Sequence, residues 1–315
     1  MNRASSRLVA VTGATGFVGP HLVRALVRHG WTVRLLIRRW KPVPELDGAS
    51  AELVLGDLAD ERALQRLTDG ADAVVHAAGL IKARSAEAFM AVNRDGTASL
   101  SRHAPKARLL LLSSLAAREP GLSPYAASKQ AAEEVLKQRA GPWLAVRAPA
   151  VYGPGDRETL AYFKTVDRGF APRPAVPEAR LSLIHVADLV EALALGLEAD
   201  LRPSVYEVDD GRPGGHSYDD MARAAGQALG RQPLGLSVPR VLLATLAAVN
   251  GLRQSLTGKA EILTAGKVAE MFHPDWTVHD RRLAETTTFV ARYDLPGGFA
   301  DTVAWYREHH WLRNR

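Results

Sequence analysis

Thr12-Gly13-Ala14-Thr15-Gly16-Phe17-Val18-Gly19 follows the apolar run Leu8-Val9-Ala10-Val11 and precedes an amphipathic stretch that ends at Gly30. The run reads as a buried strand. Residues 17–29, with Val18, Leu22, Val23, Ala25, Leu26 and Val27 at apolar positions, read as a helix. A glycine-rich turn between a strand and a helix can hold a dinucleotide's pyrophosphate. Its first glycine permits the tight turn, its second lets the backbone approach the phosphates, and its third lets the helix pack on the strand. The helix N-terminus adds free N–H groups and a positive dipole end. The spacing here, G-x-x-G-x-x-G, is one residue longer at the first gap than G-x-G-x-x-G, which narrows the family as well as the ligand. Such turns also serve ordinary hairpins and helix caps. The flanking buried strand and amphipathic helix favour the phosphate reading.

Working outward, strand-like runs near 9–12, 32–37, 52–56, 73–76, 109–113 and 144–147 alternate with helical patterns near 17–29, 61–68, 86–103 and 125–139. Short apolar runs alternating with helices mean β-α-β units with right-handed crossovers and a parallel sheet. After Arg147 the pattern loosens. Pro149, Gly153, Pro154 and Gly155 suggest one loop, and Pro172, Pro174 and Pro177 a second. A helix near 186–197 and a strand near 205–208 return to the sheet. The expected fold class is therefore α/β: a Rossmann-type doubly wound parallel sheet with a smaller, mostly helical C-terminal substrate domain. The expected boundaries are 1–170 for the dinucleotide-binding domain, with 185–210 returning to it, and 171–184 plus 211–315 for the substrate domain.

The 315 residues are long enough for a large core, and 47% hydrophobic with 23% charged residues is ordinary for a globular protein. The absence of cysteine excludes disulfides, thiolate metal sites and a cysteine nucleophile. A net charge of +6 arises from Lys and Arg scattered among Asp and Glu, without a basic patch or nucleic-acid motif. No nucleic-acid partner is expected, and the excess suits an anionic cofactor. No apolar run reaches the length of a membrane span. The nearest approach, 241–249, reads as a core helix of the C-terminal part, with a greasy pocket lining or a membrane contact as the sharper alternative. With no secretory segment near the start, the protein is expected to be cytoplasmic. His273, Asp275 and His279, and Glu308-His309-His310, lack convincing ligand spacing, so no metal is expected.

Tyr125-Ala126-Ala127-Ser128-Lys129 opens the helix after the fifth strand. Residues four apart share a helix face, so the phenol and the ammonium project together. A free phenol, with a pKa of about 10, is a poor base at neutral pH, and a nearby ammonium draws that value down. The pair becomes a general acid/base for a carbonyl or alcohol oxygen. Ser113-Ser114 stand where the fifth strand leaves the sheet. One of them could donate to the substrate oxygen, and a simple strand-end role is the alternative.

These motifs together resemble a short-chain dehydrogenase/reductase of the extended, epimerase/dehydratase-like group. The matching segments are T-G-A-T-G-F-V-G at 12–19, G-D-L at 56–58, H-A-A-G at 76–79, V-N-R-D-G-T at 92–97, S-S at 113–114 and Y-A-A-S-K at 125–129. R-A-P-A-V-Y-G-P-G-D at 147–156 and I-H-V-A-D-L at 184–189 continue the order. The resemblance implies that Tyr125 transfers the proton, Lys129 lowers its pKa and binds the nicotinamide ribose, and Ser114 holds the substrate oxygen. It implies a cofactor site from Gly13, Thr15, Gly16, Phe17, Val18 and Gly19, with Asp57 and Leu58 at the adenine. Ala77, Ala78 and Gly79 would form the loop over the cofactor, Asn93 a contact beside it, and Pro149 and Val151 the segment at the nicotinamide. A homodimer through the helices near 86–103 and 125–139 is also implied.

The second strand ends Ile37-Arg38-Arg39-Trp40, with two guanidiniums and no carboxylate. An acidic residue there would bind the ribose hydroxyls and repel a 2′-phosphate, whereas Arg offers phosphate paired donors. NADP(H) is expected over NAD(H), with Arg38 and Arg39 as phosphate contacts. Sugar-nucleotide members of the resembled group carry an asparagine where this chain has Ala150, and the residues after Ser114 are apolar. Both departures point to a carbonyl or alcohol substrate less polar than a nucleotide sugar. The rival readings are an epimerase or dehydratase that retains its cofactor, and a non-catalytic cofactor-binding scaffold.

Overall fold

The computed structural model describes residues 7–39, 51–257 and 263–313. The chain opens with β1 (Leu8–Thr12), α1 (Val18–Arg28), β2 (Thr32–Ile37), β3 (Glu52–Leu55), α2 (Glu61–Thr68) and β4 (Ala73–His76). Then follow α3 (Ala86–Phe89), a π-helical turn (Met90–Asp95), α4 (Gly96–His103), β5 (Arg108–Ser114), α5 (Pro124–Lys137), β6 (Trp143–Ala148) and β7 (Ala150–Tyr152). Next come α6 (Leu160–Asp167), β8 (Phe170–Pro174), β9 (Arg180–Leu181), β10 (Leu183–His185), α7 (Val186–Glu198) and β11 (Ser204–Glu207). The chain closes with β12 (His216–Ser217), α8 (Tyr218–Leu229), β13 (Leu234–Val238), α9 (Arg240–Thr257), α10 (Ala265–Met271), β14 (Asp275–Trp276) and α11 (Leu295–Glu308).

Seven strands form one parallel sheet in the order β11-β6-β5-β4-β1-β2-β3. Val9, Ala10 and Val11 are fully buried, as are Val74 and Val75 of β4 and Leu109 and Leu110 of β5. Continuous apolar runs of this kind are what a sheet covered on both faces requires. The order reverses at β1, which pairs with β2 on one side and β4 on the other. A parallel sheet binds ligands at such a switch point, outside the carboxyl ends of its strands. Register decides what stands there. Thr12 is level with Leu36 and with His76, and His76 is level with Leu111. The glycine turn, Arg38, the loop after His76 and Ser113-Ser114 therefore all emerge at one edge.

The chain divides into two compact units. The first comprises Met1–Arg147, Val190–Glu207 and Asp280–Phe289. Residues 148–189 pack within the second unit, and 280–289 join the first through backbone bonding of Glu207 to Arg281. Its core gathers Leu64, Leu67, Val74, Leu100, Leu109 and Leu136.

The second unit is Ala148–Leu189, Val208–His279 and Val290–Arg315. Its core is aromatic. Phe299 meets Tyr152 edge-on at 5.0 Å and Phe163 at 4.9 Å between ring centroids. Tyr306 meets Phe163 at 5.7 Å and donates to the Asp156 carbonyl at 2.6 Å. Asp188, fully buried, accepts the backbone N–H groups of Arg292 and Tyr293 and so ties α7 to the chain leading into α11.

The helix expected over 86–103 is continuous and contains a π turn at Met90–Asp95. Two expectations need correction. The proline-rich loop expected near 172–177 begins as β8, whose prolines are tolerated because it lies in a two-stranded ribbon with β13 and has a free edge. The core helix expected over 241–249 lies largely on the surface, with Val241 77% and Val249 59% exposed.

Phe299→Ala removes the ring on which Tyr152 and Phe163 both pack and should cost about 3–5 kcal/mol. Urea denaturation followed by near-ultraviolet circular dichroism of the aromatic residues checks this, and a loss below about 1 kcal/mol would contradict the cluster's role.

Candidate active site

The turn after β1 is shaped by backbone crowding. Gly13 has φ +82°, and a Cβ there would lie 2.5 Å from the backbone of Ala77 and of Ala78. A Cβ on Gly19 would collide with the Gly13 carbonyl and the Ala14 backbone. Neither position admits a side chain. Thr15 and Gly16 are exposed, and Phe17 and Val18 are half-buried. Helix α1 starts with no side chain capping it and no acidic residue in its first turn. Its leading N–H groups and positive dipole end are thus suited to an anion.

The neighbouring loop is fastened to this turn. Thr12 Oγ1 bonds His76 Nδ1 at 2.7 Å and accepts the Ala78 N–H at 3.3 Å. His76 Nε2 reaches Thr97 Oγ1 at 3.1 Å. Burial, with the positive charge of Lys129 adding to it, pushes the His76 imidazole down to about 3. The ring is therefore neutral at physiological pH, an uncharged strut between strand and helix.

Asn93 clamps the same loop from the π-helical turn. Its amide accepts from Leu80 N–H at 2.8 Å, and it donates to the Leu80 carbonyl at 3.1 Å and to Ser128 Oγ at 2.8 Å. Ser128 in turn donates to the Tyr125 carbonyl. The widened turn is stabilised by Thr97, whose hydroxyl donates to the Asn93 carbonyl at 2.6 Å. Single π turns recur where a helix must aim one side chain at a site.

Helix α5 carries the phenol and the ammonium. Ser123 caps it by accepting the Ala126 N–H, and Pro124 occupies its first turn. Tyr125 is half-buried, with Phe89 6.0 Å away between ring centroids. Lys129 is buried and donates from Nζ to the Leu112 carbonyl at 2.7 Å. A Cβ built on Gly79 would be 3.8 Å from that Nζ, so the ammonium lies beneath the loop after β4. Burial lowers the Lys129 pKa to about 8, against an upward pull from Glu133.

The two serines have different tasks. Ser113 is buried and donates to Glu133 Oε1 at 2.5 Å. Ser114 is half-buried and accepts the Ala116 N–H at 3.2 Å, which leaves its own O–H available to donate. Arg38 and Arg39 are exposed just beyond β2. Asp57 is also exposed, its carboxylate accepting the Ala59 N–H, whereas Leu58 packs inward against Gly96. Pro149 and Val151 belong to the second unit, with Val151 paired to Ile184.

Glu133 and Glu207 carry site geometry that the sequence reading missed. Glu133 is 1% exposed and takes a two-pronged bond from Arg147, Nε at 2.9 Å and Nη2 at 2.7 Å. Arg147 also approaches Glu207 at 3.5 Å, as Arg118 does at 3.7 Å. The network joins β5, β6 and β11 to α5. A signal was present: 125, 129 and 133 fall on one helical stripe.

Lys129 titrates lower in the folded chain than its ordinary 10.5. The cost of burying its charge is therefore fully present below about 8 and is relieved as pH rises from there toward 10.5. Glu133→Gln removes the carboxylate that supports the ammonium. The Lys129 midpoint, followed by side-chain NMR titration, should move from about 8 to lower pH. An unchanged midpoint would refute the coupling.

The model of the NAD dependent epimerase/dehydratase family matches residues 9–209. A ceramide reductase of Caulobacter vibrioides is 41% identical over 311 residues, covering 97% of this chain and 96% of that protein. A 4-hydroxy-2-methyl-3-oxo-4-farnesyl-3,4-dihydroquinoline-1-oxide ketoreductase of Stigmatella aurantiaca is 28% identical, covering 64% of this chain and 68% of its own. Among solved structures, gox2253 superposes with a TM-score of 0.76 at 24% identity, covering 98% of this chain and 100% of that one. The chain belongs to the NAD dependent epimerase/dehydratase family and is a nicotinamide-dependent oxidoreductase of the extended short-chain dehydrogenase/reductase type.

Proposed function

We propose that this protein reduces the carbonyl of a long-chain, ceramide-class lipid to the alcohol, with NADP(H) preferred over NAD(H). The observation that carries the substrate class is the similarity to the ceramide reductase along nearly the whole of both chains. The apolar residues after Ser114 and the Ala150 side chain support it, since neither offers the polar contacts a sugar needs.

In this reading, a nicotinamide held by the turn after β1 would, when bound, supply the hydride that reduces the carbonyl carbon. Tyr125 gives its phenolic proton to the carbonyl oxygen as charge develops there, and Ser114 donates a hydrogen bond that orients the same oxygen. Lys129 stabilises the resulting phenolate from one helical turn away and returns it to the protonated form by proton exchange with solvent. Gly13, Thr15, Gly16, Phe17, Val18 and Gly19 hold the pyrophosphate on the α1 N-terminus. Asp57 and Leu58 lie by the adenine, Ala77, Ala78 and Gly79 cover the cofactor, and Asn93 steadies that cover. By the resemblance, Pro149 and Val151 would be the segment at the nicotinamide. A homodimer through the helices near 86–103 and 125–139, and a cytoplasmic location, complete the reading and rest on the resemblance alone.

Two experiments test it. A substrate panel graded from sugar nucleotides to keto-ceramides, followed by NADPH absorbance, should show turnover with the lipid ketones. Epimerisation of a sugar nucleotide without net cofactor consumption, or inertness across the panel, would overturn the reading. Tyr125→Phe should lower kcat by about 100- to 10,000-fold while leaving cofactor affinity within about twofold. Near-normal turnover in that variant contradicts the proposed proton transfer.

Cofactor choice is tested separately. Arg38→Asp should lose the NADPH preference, because a carboxylate repels the 2′-phosphate and accepts from the free ribose hydroxyls. Equal kcat/KM for both cofactors in the wild type would refute the assignment of Arg38 and Arg39.

A further inference from the structure

Helix α9 is turned inside out. Toward the protein it presents Leu243, Ala247, Asn250 and Gln254, at the i, i+4, i+7, i+11 spacing of one helical stripe. Asn250 is fixed there by donating to the Leu263 carbonyl at 3.3 Å. The facing stripe, Leu242, Leu246, Val249 and Arg253, is exposed, as is Val241 beside it. The more apolar face of this helix is the one facing water, the reverse of a globular helix.

The ribbon that precedes α9 in the chain shares this character. Leu234 lies level with Phe170 across the β13–β8 pairing, and Leu236 stands two residues further along the same face. Their exposures are 64%, 45% and 40%. Seven of the ten large hydrophobic residues exposed among the described residues belong to β8, β13 and α9. Scattered exposed leucines need no explanation, whereas a concentration of this kind marks an interaction surface.

The charge pattern identifies the partner. Residues 221–260 contain no Asp or Glu but include Arg223, Arg231, Arg240, Arg253 and Lys259. Helix α9 itself carries Arg240 at its first residue and Arg253 on the exposed stripe. An apolar helical face bordered by arginines, and free of carboxylates, fits an anionic bilayer surface: its leucines and valines enter the acyl boundary and its guanidiniums meet lipid phosphates. Among the described residues no helix is long and apolar enough to cross a membrane, so α9 would lie along the surface.

We propose that α9, with the exposed face of the β8–β13 ribbon, docks this protein on anionic lipid bilayers. The inference rests on the surface and not on the substrate, so it stands or falls independently of the lipid-ketone reading. The test is co-sedimentation of the full chain with phosphatidylethanolamine/phosphatidylglycerol vesicles and, in parallel, with phosphatidylcholine vesicles, without substrate. Wild-type protein should pellet with the anionic vesicles, more weakly as salt is raised, and remain largely in solution with phosphatidylcholine. Leu242→Ser with Leu246→Ser should weaken vesicle binding by about tenfold per leucine while keeping the wild-type melting temperature, since both side chains are already exposed. Arg240→Glu with Arg253→Glu should abolish the preference for phosphatidylglycerol. Wild-type protein that stays in solution with anionic vesicles would overturn the proposal, as would a leucine variant that binds unchanged. A wild-type dimer that this leucine variant dissociates, seen by sedimentation equilibrium, would also overturn it, by showing that a second copy covers the face.

Discussion

The architecture of the first unit depends on one close approach: the backbone of Gly13 against the backbone of Ala77 and Ala78. Adjacent parallel strands separate by less than 5 Å, and where β1 and β4 end together their outgoing loops must pass each other. Only a residue without a Cβ, at positive φ, lets β1 turn into α1 there. The same crowding at Gly19 lets α1 sit directly on the turn. Once these contacts are made, register carries His76, Ser113 and Ser114 to the same edge. The site is thus a consequence of how the sheet closes at its switch point.

A second constraint is the burial of charge. Lys129 and Glu133 occupy successive turns of α5 with 7% and 1% exposure, a placement that is costly for isolated ions. The structure offsets that cost with geometry: Arg147 meets both Glu133 oxygens, Ser113 adds a third donor, and Lys129 donates to a backbone carbonyl. Breaking one member of such a network leaves its partners buried and unmatched, which is why these groups are better read as fixing the position of α5 than as a source of net stability. The residues proposed for chemistry, Tyr125 and Ser114, are the half-buried ones at the rim of this rigid array.

What was legible in the sequence follows from where the information resides. Strands buried on both faces must be largely apolar, so β4, buried along its whole length, was legible from its residues alone. The π turn at 90–95 was not, because it is made by bonds from Asn93 to Leu80 and Ser128, residues brought close only by the finished fold. Glu133 was passed over because a carboxylate in a helix ordinarily reads as a solvated face, and only its partners show that it is not. Residues 241–249 misled in the opposite sense. An apolar pattern predicts burial against something, and in this chain the inward stripe includes Asn250 and Gln254 beside Leu243 and Ala247, while Leu242, Leu246 and Val249 face out.

That reversal bears on how the catalytic equipment and the substrate relate. In the proposed reading Tyr125, Lys129 and Ser114 act on one carbon–oxygen bond, and nothing in that chemistry selects what lies beyond it. The fold does not choose either, since a UDP-glucuronic acid complex of MoeE5 superposes with a TM-score of 0.72. Discrimination must come from residues outside the parallel sheet, and in this chain those include the exposed apolar side chains of β8, β13 and α9. A protein whose substrate is dissolved in water has no need of such a surface, and exposing it invites aggregation. A protein whose substrate resides in a bilayer gains from it twice: the surface is covered when the protein is docked, and docking raises the local concentration of substrate. Docking through the exposed face of α9 and the proposed lipid substrate are thus compatible, and each is tested without the other.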